Sequence, residues 1–362
     1  MTRAFQIGDY VIDDDSDCFV IAEIGHNHQG RLDQALELVD AAAACGASAV
    51  KLQKRDNRAL FTEEMYNSVY NSENAFAETY GAHRDFLEFG RDEYVAMRER
   101  AEKHGLVFFS TAFDMPSADF LRDLDMPAYK IASGDLTNIP LLEYIASFGK
   151  PMVVSTGGGT MEDVRRAYEA IKPINPNFTI LQCTSGYPPA FEELNLNVIK
   201  TFREEFPDIQ IGLSSHDSGI AMALVGYVLG ARIIEKHFTL NRAMKGTDHA
   251  FSLERQGFSK LVRDLRRARV AMGDGVKRTY DSEQAPLTKM AKSLVAARDL
   301  PVGHVLGQDD IAYKSPGGGL PPYRVEELVG LRLTAAMRCD EMFREDQIPA
   351  NDRIVSAGGG AE

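Results

Sequence analysis

The stretch 233-IIEKHFTL-240 decides how the chain is read. Two isoleucines open a strand-like run, and then Glu235, Lys236 and His237 stand where further core residues are expected. Upstream, 211-IGLSSH-216 closes the same way, on Ser214 and His216. Side chains alternate between the two faces of a strand, so Ser214 and His216 share one side, as do Glu235 and His237. Lys236 has the opposite parity and finds no partner in the sequence. Apolar strands with polar C-terminal ends are accounted for if many such ends converge.

Working outward, the same design recurs. The runs 19-FVIAEIG-25, 49-AVKLQK-54, 107-VFFSTAF-113, 128-AYKIASGD-135, 151-PMVVSTG-157 and 178-FTILQCTSG-186 precede 210-QIGLSSH-216 and 232-RIIEKHFTL-240. Helix-like segments separate them, such as 32-LDQALELVDAAAACG-46 and 218-SGIAMALVGYVLG-230, each closed by a glycine stop. Thr160 is a capping residue ahead of the helix-like 161-MEDVRRAYEAI-171. This alternation predicts a (β/α)8 TIM barrel, in which all strand C-termini emerge on one face, the face that carries active sites. An open doubly wound sheet is the competing topology, but no G-x-G-x-x-G follows the first run. Residues 61–90 form an aromatic and polar insertion, expected as a rim or lid.

The alternation ends near residue 275. The polar 276-VKRTYDSEQAP-286 reads as a linker, and turn-rich sequence with short strands follows. The expected organisation is a catalytic barrel over 1–275, a linker over 276–289 and a small mostly-β domain over 290–362. The final 356-SAGGGAE-362 is expected to fray.

The 362 residues are 44% hydrophobic, and 40 basic against 53 acidic residues give a net charge of −13. This balance, with no Lys/Arg block, excludes a nucleic-acid binder. Four scattered cysteines read as reduced thiols, with Cys183 a core thiol. With no signal peptide and no apolar run of roughly 20 residues, the expectation is a cytoplasmic protein that does not engage membranes.

Parity sets Lys51 and Gln53 toward the barrel mouth, where Glu23, Thr111, Lys130, Ser155 and Thr184 also lie at or near strand ends. An unpaired buried ammonium is expensive, so Lys51 and Lys130 call for an anion, phosphate or carboxylate, with Thr111, Ser133, Ser155 and Ser214 completing its shell. Structural ion pairs are the alternative. The glycines of 155-STGGGT-160 would admit an anion or simply make a tight turn. His26 and His28 read as loop or cap residues, and the acidic 13-DDDSD-17 as a solvated turn.

Nine stretches together resemble the sialic acid synthase (N-acetylneuraminate synthase) family, with its legionaminate, pseudaminate and spore-coat relatives. They are IAEIGHNHQG, VKLQK, FFSTAF, YKIASGD, VVSTG, LQCTSGYPP, IGLSSHDSG, IEKHFTL and KGTDHAFS, in family order over residues 19–252. The tail resembles the family's antifreeze-like (SAF) domain. The resemblance implies condensation of phosphoenolpyruvate with an open-chain six-carbon amino sugar to a nine-carbon 2-keto-3-deoxy acid, with release of phosphate. It assigns Lys51, Thr111, Lys130, Ser133, Ser155 and Ser214 to phosphoenolpyruvate. Glu23, Gln53, Asp135, Tyr187 and Asp248 fall to the sugar, with Glu23 also the candidate for proton transfer. His216 and His237 fall to a divalent metal, manganese first, with magnesium or cobalt as alternatives. It further implies a domain-swapped homodimer in which the tail loop reaches the partner's sugar site.

Three departures are visible. Where the family has Arg-Pro-Gly in that loop, this chain has Lys314-Ser315-Pro316-Gly317, leaving Lys314 as the candidate sugar contact. Asp135 replaces a glutamate, and LQKRDN replaces the usual Q-T-F or Q-T-Y run. Two other classes compete with a synthase. A metal-dependent barrel hydrolase would use His26, His28, His216 and His237, and a non-catalytic carbohydrate-binding protein would have lost its metal and anion residues.

Overall fold

The computed structural model describes residues 3–347; the expected fraying of 356–362 lies outside them. The chain divides after Gly273 into two compact units, whose described parts run over 3–273 and 274–347. The first begins with a hairpin of β1 (Phe5–Ile7) and β2 (Tyr10–Ile12). Eight parallel strands then close into a barrel: β3 (Phe19–Glu23), β4 (Ala49–Lys54), β5 (Val107–Ala112), β6 (Tyr129–Ile131), β7 (Met152–Ser155), β8 (Phe178–Cys183), β9 (Gln210–Ser214) and β10 (Ile233–His237). Neighbours in sequence pair in order, and β10 closes on β3 with His237 opposite Glu23. The expected barrel is the observed one.

Strand alternation divides the apolar residues into two cores. Outward-facing Val20, Val50, Phe108, Ile180 and Leu213 pack with the helices in the large cluster between sheet and helix ring. Inward-facing Phe19, Ile21, Ala49, Phe109, Val153, Leu181 and Ile233 fill the N-terminal half of the barrel. The hairpin adds Phe5, Ile7 and Ile12 to that inner cluster and plugs the end away from the polar strand termini. Asn177 ties it down, accepting from Gln6 N at 3.0 Å and donating to Gln6 O at 2.9 Å. Burying each large side chain contributes about 1.5–3 kcal/mol. The bottom of the barrel is therefore closed and apolar, which leaves the C-terminal mouth for polar groups.

Helix starts follow local chemistry. Thr160 and Asp163 make a reciprocal capping box, with Thr160 N donating to Asp163 Oδ2 at 2.9 Å and Asp163 N to Thr160 Oγ1 at 3.3 Å. Asp114 caps the helix Met115–Asp123 by accepting from Ser117 N at 2.7 Å. The 61–90 insertion folds into short helices Glu63–Asn67 and Tyr80–Leu87, with Val69 and Thr79 bridged between them.

The segment expected as a linker is partly a helix, Asp281–Met290, with Pro286 inside it. Glu283 accepts from Tyr280 N at 2.8 Å and caps the start of this helix. The second unit pairs β11 (Ser293–Ala296) antiparallel with β12 (Ile311–Lys314). Further isolated bridges and short 3-10 turns surround a core that includes Leu294, Leu306, Leu320 and Phe343. The expected small β domain is present. Among the described residues no helix is long and apolar enough to cross a membrane.

Candidate active site

The C-terminal mouth of the barrel opens into a cavity of about 470 Å³. Its wall takes one inward-facing residue from each of the eight barrel strands: Glu23, Lys51, Thr111, Lys130, Ser155, Cys183, Ser214 and Glu235. Gln53, Ser133, Tyr187, His216, His237 and Asp248 also line it. Residues far apart in sequence meet here because parity points them inward and closure of the sheet brings the strand ends together.

Two buried ammonium groups dominate the floor. Lys51 Nζ stands 2.5 Å from Glu23 Oε2 and donates to Thr111 Oγ1 at 2.8 Å. Lys130 Nζ donates to Ser155 Oγ at 2.6 Å and to the Ile131 carbonyl at 2.8 Å, with Glu235 Oε1 at 4.0 Å. Glu235 in turn accepts from Ser214 Oγ at 3.1 Å. Both readings of the lysines therefore have a basis, since each has a carboxylate nearby. An ammonium carries three donors, however, and each lysine has only two of the partners just named within hydrogen-bonding distance, which leaves one donor over.

Burial pushes the Glu23 carboxyl up to about 7, against the downward pull of Lys51. Burial would also raise Glu235, but Lys130, Lys51 and the two histidines hold its carboxyl below the usual range. Burial lowers Lys130, offset in part by Glu235. Two carboxyls in one cavity are thus driven apart, one proton-holding near neutrality and one anionic, a separation typical of acid–base sites.

The two strand-end histidines do meet, with ring centroids 5.3 Å apart. His216 Nδ1 lies 3.1 Å from the Thr184 carbonyl, which can only accept. The proton is therefore on Nδ1 and the lone pair on Nε2, the arrangement that a supporting carbonyl gives a metal ligand. His237 Nδ1 is buried with no hydrogen-bond partner among the described residues, 3.8 Å from Asp248 Oδ2. Burial keeps His237 low. For Asp248, burial acts upward, yet His237 and His26 hold its carboxyl at about 2. No group of three or more His, Cys, Asp or Glu side chains forms a metal cage among the described residues. The pair fits a divalent cation whose other positions go to water or substrate oxygens.

One hydroxyl of the cavity wall is held by a glycine. Gly157 N donates to Ser133 Oγ at 2.9 Å, and a Cβ at Gly157 would lie 2.0 Å from Ser185 Oγ and 2.9 Å from Ser133 Oγ. Close approach is thus the use of this residue in STGGGT, while Gly158 supplies the positive φ of +76°. Tyr187 stacks obliquely on His216, centroids 4.4 Å apart.

Several expectations change. Asp135 is not a lining residue: it accepts from Asn138 Nδ2 at 3.2 Å within the turn that follows β6. Lys314 lies in the second unit, where the sequence placed it, and pairs there with Asp340. Lys236 finds the partner the sequence could not show, donating to Asp217 Oδ1 at 2.9 Å and to its carbonyl at 2.7 Å on the outer side of β10. His28 turns from the cavity, stacking on Phe89 with centroids 4.0 Å apart, so the four histidines of the hydrolase reading do not gather. Cys183 is buried, as expected of a core thiol, but it also lines the cavity, its Sγ 4.0 Å from His216 Nδ1.

Sequence reasoning passed over Glu235, Arg55 and Arg84 as site residues, although all three line the cavity. Glu235 carried a signal, its parity with His237. Arg55 did too, since it continues the Lys51, Gln53 alternation. Arg84 has none, because it comes from the insertion and only folding brings it to the mouth.

Comparison with known proteins agrees with this geometry. Residues 38–277 match the NeuB family and residues 291–349 the SAF domain. The chain is 39% identical to N-acetylneuraminate-9-phosphate synthase of Homo sapiens, over 94% of this chain and 95% of that protein. It is 35% identical to N,N'-diacetyllegionaminic acid synthase of Legionella pneumophila, over 88% and 90% respectively. The crystal structure of N-acetylneuraminic acid (sialic acid) synthetase from Leptospira borgpetersenii superposes with a TM-score of 0.67 at 34% identity, covering 79% of this chain and 95% of that one. With a family match over most of the barrel and relatives aligned along nearly the whole length, the chain belongs to the NeuB family.

Proposed function

We propose that the protein condenses phosphoenolpyruvate with the open-chain form of a six-carbon N-acylamino sugar, giving a nine-carbon 2-keto-3-deoxy acid and inorganic phosphate. The observation that carries this reading is the pair of buried ammonium groups, each with a donor to spare, set beside two imidazoles with available nitrogens. Lys51, Lys130, Thr111, Ser133, Ser155 and Ser214 hold the carboxylate and phosphate of phosphoenolpyruvate. Glu23, Gln53, Tyr187 and Asp248 face the sugar.

The reaction forms a bond between C3 of phosphoenolpyruvate and the aldehyde carbon, whose oxygen takes up a proton. Water adds at C2 and loses one proton, and the resulting tetrahedral carbon expels phosphate as its C–O bond breaks, the hydroxyl's remaining proton passing to the phosphate to leave the ketone. His216 and His237 would hold a divalent cation, manganese first among magnesium and cobalt, which when bound supplies Lewis-acid polarisation of the aldehyde. Glu23 moves the proton, because a carboxyl held near 7 carries one at neutral pH and can return it. Glu235, kept anionic, stabilises positive charge developing at C2. The enzyme acts in the cytoplasm as a homodimer in which the tail loop around Lys314 completes the partner's sugar site.

The names of relatives divide on the acceptor, since the human product carries a 9-phosphate and the Legionella product does not. Phosphate release that requires both phosphoenolpyruvate and an N-acylmannosamine-type sugar, with a product of the summed carbon count by mass, tests the proposal. Release without the sugar, or sugar binding without turnover, would overturn it.

A further inference from the structure

Above the lysine floor the cavity carries a second cationic cluster that the condensation does not use. Arg55 and Arg84 flank His26, with Arg55 Nη1 3.0 Å from its Nε2 and Arg84 Nη1 3.1 Å from its Nδ1. All three line the cavity. Both guanidinium groups can only donate, while a neutral imidazole has one lone pair and one N–H. One of the two contacts therefore sets N–H against N–H. Protonating the ring would make both contacts repulsive, and burial with the two arginines keeps His26 well below its ordinary value.

Two carboxylates, Glu88 and Asp248, act on the arginines, but among the described residues only Glu88 lies within ion-pairing distance of either. Arg84 forms no ion pair among the described residues, and its buried Nε has no hydrogen-bond partner. Its Nη2 donates to Tyr80 Oη at 3.0 Å, a neutral partner. Arg55 donates to the neutral Gln53 Oε1 at 2.7 Å, and its one ion-pair partner among the described residues is Glu88, at 3.9 Å, whose carboxylate Lys54 takes at 3.2 Å. An anion placed between the arginines would accept from both forks and relieve the contact that His26 cannot satisfy.

Position identifies the anion's bearer. Lys51, Gln53 and Arg55 alternate up one face of β4 and its continuation, so the arginine stands about 13 Å above the lysine at roughly 3.3 Å per residue. A six-carbon chain with its aldehyde at the floor extends about 6 Å at close to 1.5 Å per bond. A phosphate ester at its far end and two long arginine side chains cover the remainder. We propose that Arg55 and Arg84, held apart by His26, form a subsite for a phosphate monoester on the acceptor sugar at the end remote from the aldehyde. This rests on the synthase reading and specifies its substrate class.

The test compares N-acetylmannosamine with its 6-phosphate as acceptors for phosphoenolpyruvate-dependent phosphate release by the full chain. Wild type is expected to prefer the phosphorylated sugar by about 100-fold in kcat/KM. Arg84→Met is expected to shrink that preference by about 10- to 100-fold, through KM, the effect of losing a charged hydrogen-bond donor. Arg84→Lys should fall between, and circular dichroism checks that each variant is folded. Equal use of the two sugars by wild type, or an equal loss on both in Arg84→Met, overturns the subsite. If neither sugar turns over, the synthase reading fails for this sugar class, and calorimetry decides the subsite on its own. Tighter binding of the 6-phosphate, lost in Arg84→Met, upholds it, and equal binding of the two sugars rejects it.

Discussion

Replacing Lys51 by methionine separates the two roles its geometry allows. The ammonium touches Glu23 at 2.5 Å and Thr111 at 2.8 Å, and its remaining donor faces the cavity. If that donor binds phosphoenolpyruvate, its loss removes one charge-assisted hydrogen bond, about 1.5–3 kcal/mol. At about 1.4 kcal/mol per decade, kcat/KM for phosphoenolpyruvate then falls roughly 10- to 150-fold. Breaking a buried ion pair ordinarily costs about 3–5 kcal/mol because a charge is stranded. Here the stranded group is Glu23, whose carboxyl is already raised to about 7 and rises further without Lys51. It takes a proton instead, and the stability loss at pH 7 should stay below that range. The double variant Lys51→Met/Glu23→Gln should recover thermal stability without recovering activity. Phosphate release at varied phosphoenolpyruvate, calorimetric binding of phosphoenolpyruvate and thermal melts measure the three quantities. A kcat/KM within twofold of wild type, or activity restored in the double variant, would refute the assignment and leave Lys51 a structural partner of Glu23.

Three further outcomes are expected. Lys236→Met strands Asp217 on the outer side of β10 and should cost about 3–5 kcal/mol in denaturant unfolding; a loss under 1 kcal/mol would contradict the pair's role. Burial holds His28 down to about 4, and its Nδ1 accepts from Gly30 N at 3.1 Å, which requires the neutral ring. Its folded value lies below the ordinary 6.5, so the stability it contributes is present above pH 6.5 and is lost as pH falls toward 4, at up to about 1.4 kcal/mol per pH unit. His28→Phe, which preserves stacking on Phe89, should flatten the stability curve over that window, and an unchanged slope would argue against it. Chelation should abolish turnover and added Mn2+ should restore it, whereas His216→Ala/His237→Ala should stay inactive at any Mn2+ concentration; full activity of the chelated double variant would remove the metal from the reading.

The barrel was legible because its signal is local and repeated. Runs such as 178-FTILQC-183 and 210-QIGLS-214 are short, apolar and bounded by helix signals, and each became a strand. Parity then set Lys51 and Gln53 toward the mouth and grouped Ser214 with His216 and Glu235 with His237 before any contact was known, because alternation along a strand is set by backbone geometry alone. The hairpin of β1 and β2 was not legible, since three-residue strands carry too little periodicity, and its role as a plug depends on the barrel it closes. The helix within the expected linker was not legible, since its polar sequence has no apolar periodicity and its start is set by the bond from Tyr280 N to Glu283.

By itself, then, the sequence determined which residues are strands, which face inward, and which carry charge at the mouth. Tertiary structure decided how those charges are partnered. Whether Lys51 meets Glu23, Lys236 meets Asp217, Asp135 turns to Asn138 or Arg84 reaches His26 depends on side chains brought together by barrel closure and by the insertion. Parity has a range of two residues, whereas electrostatic partnership acts over a few ångströms of space and disregards separation along the chain.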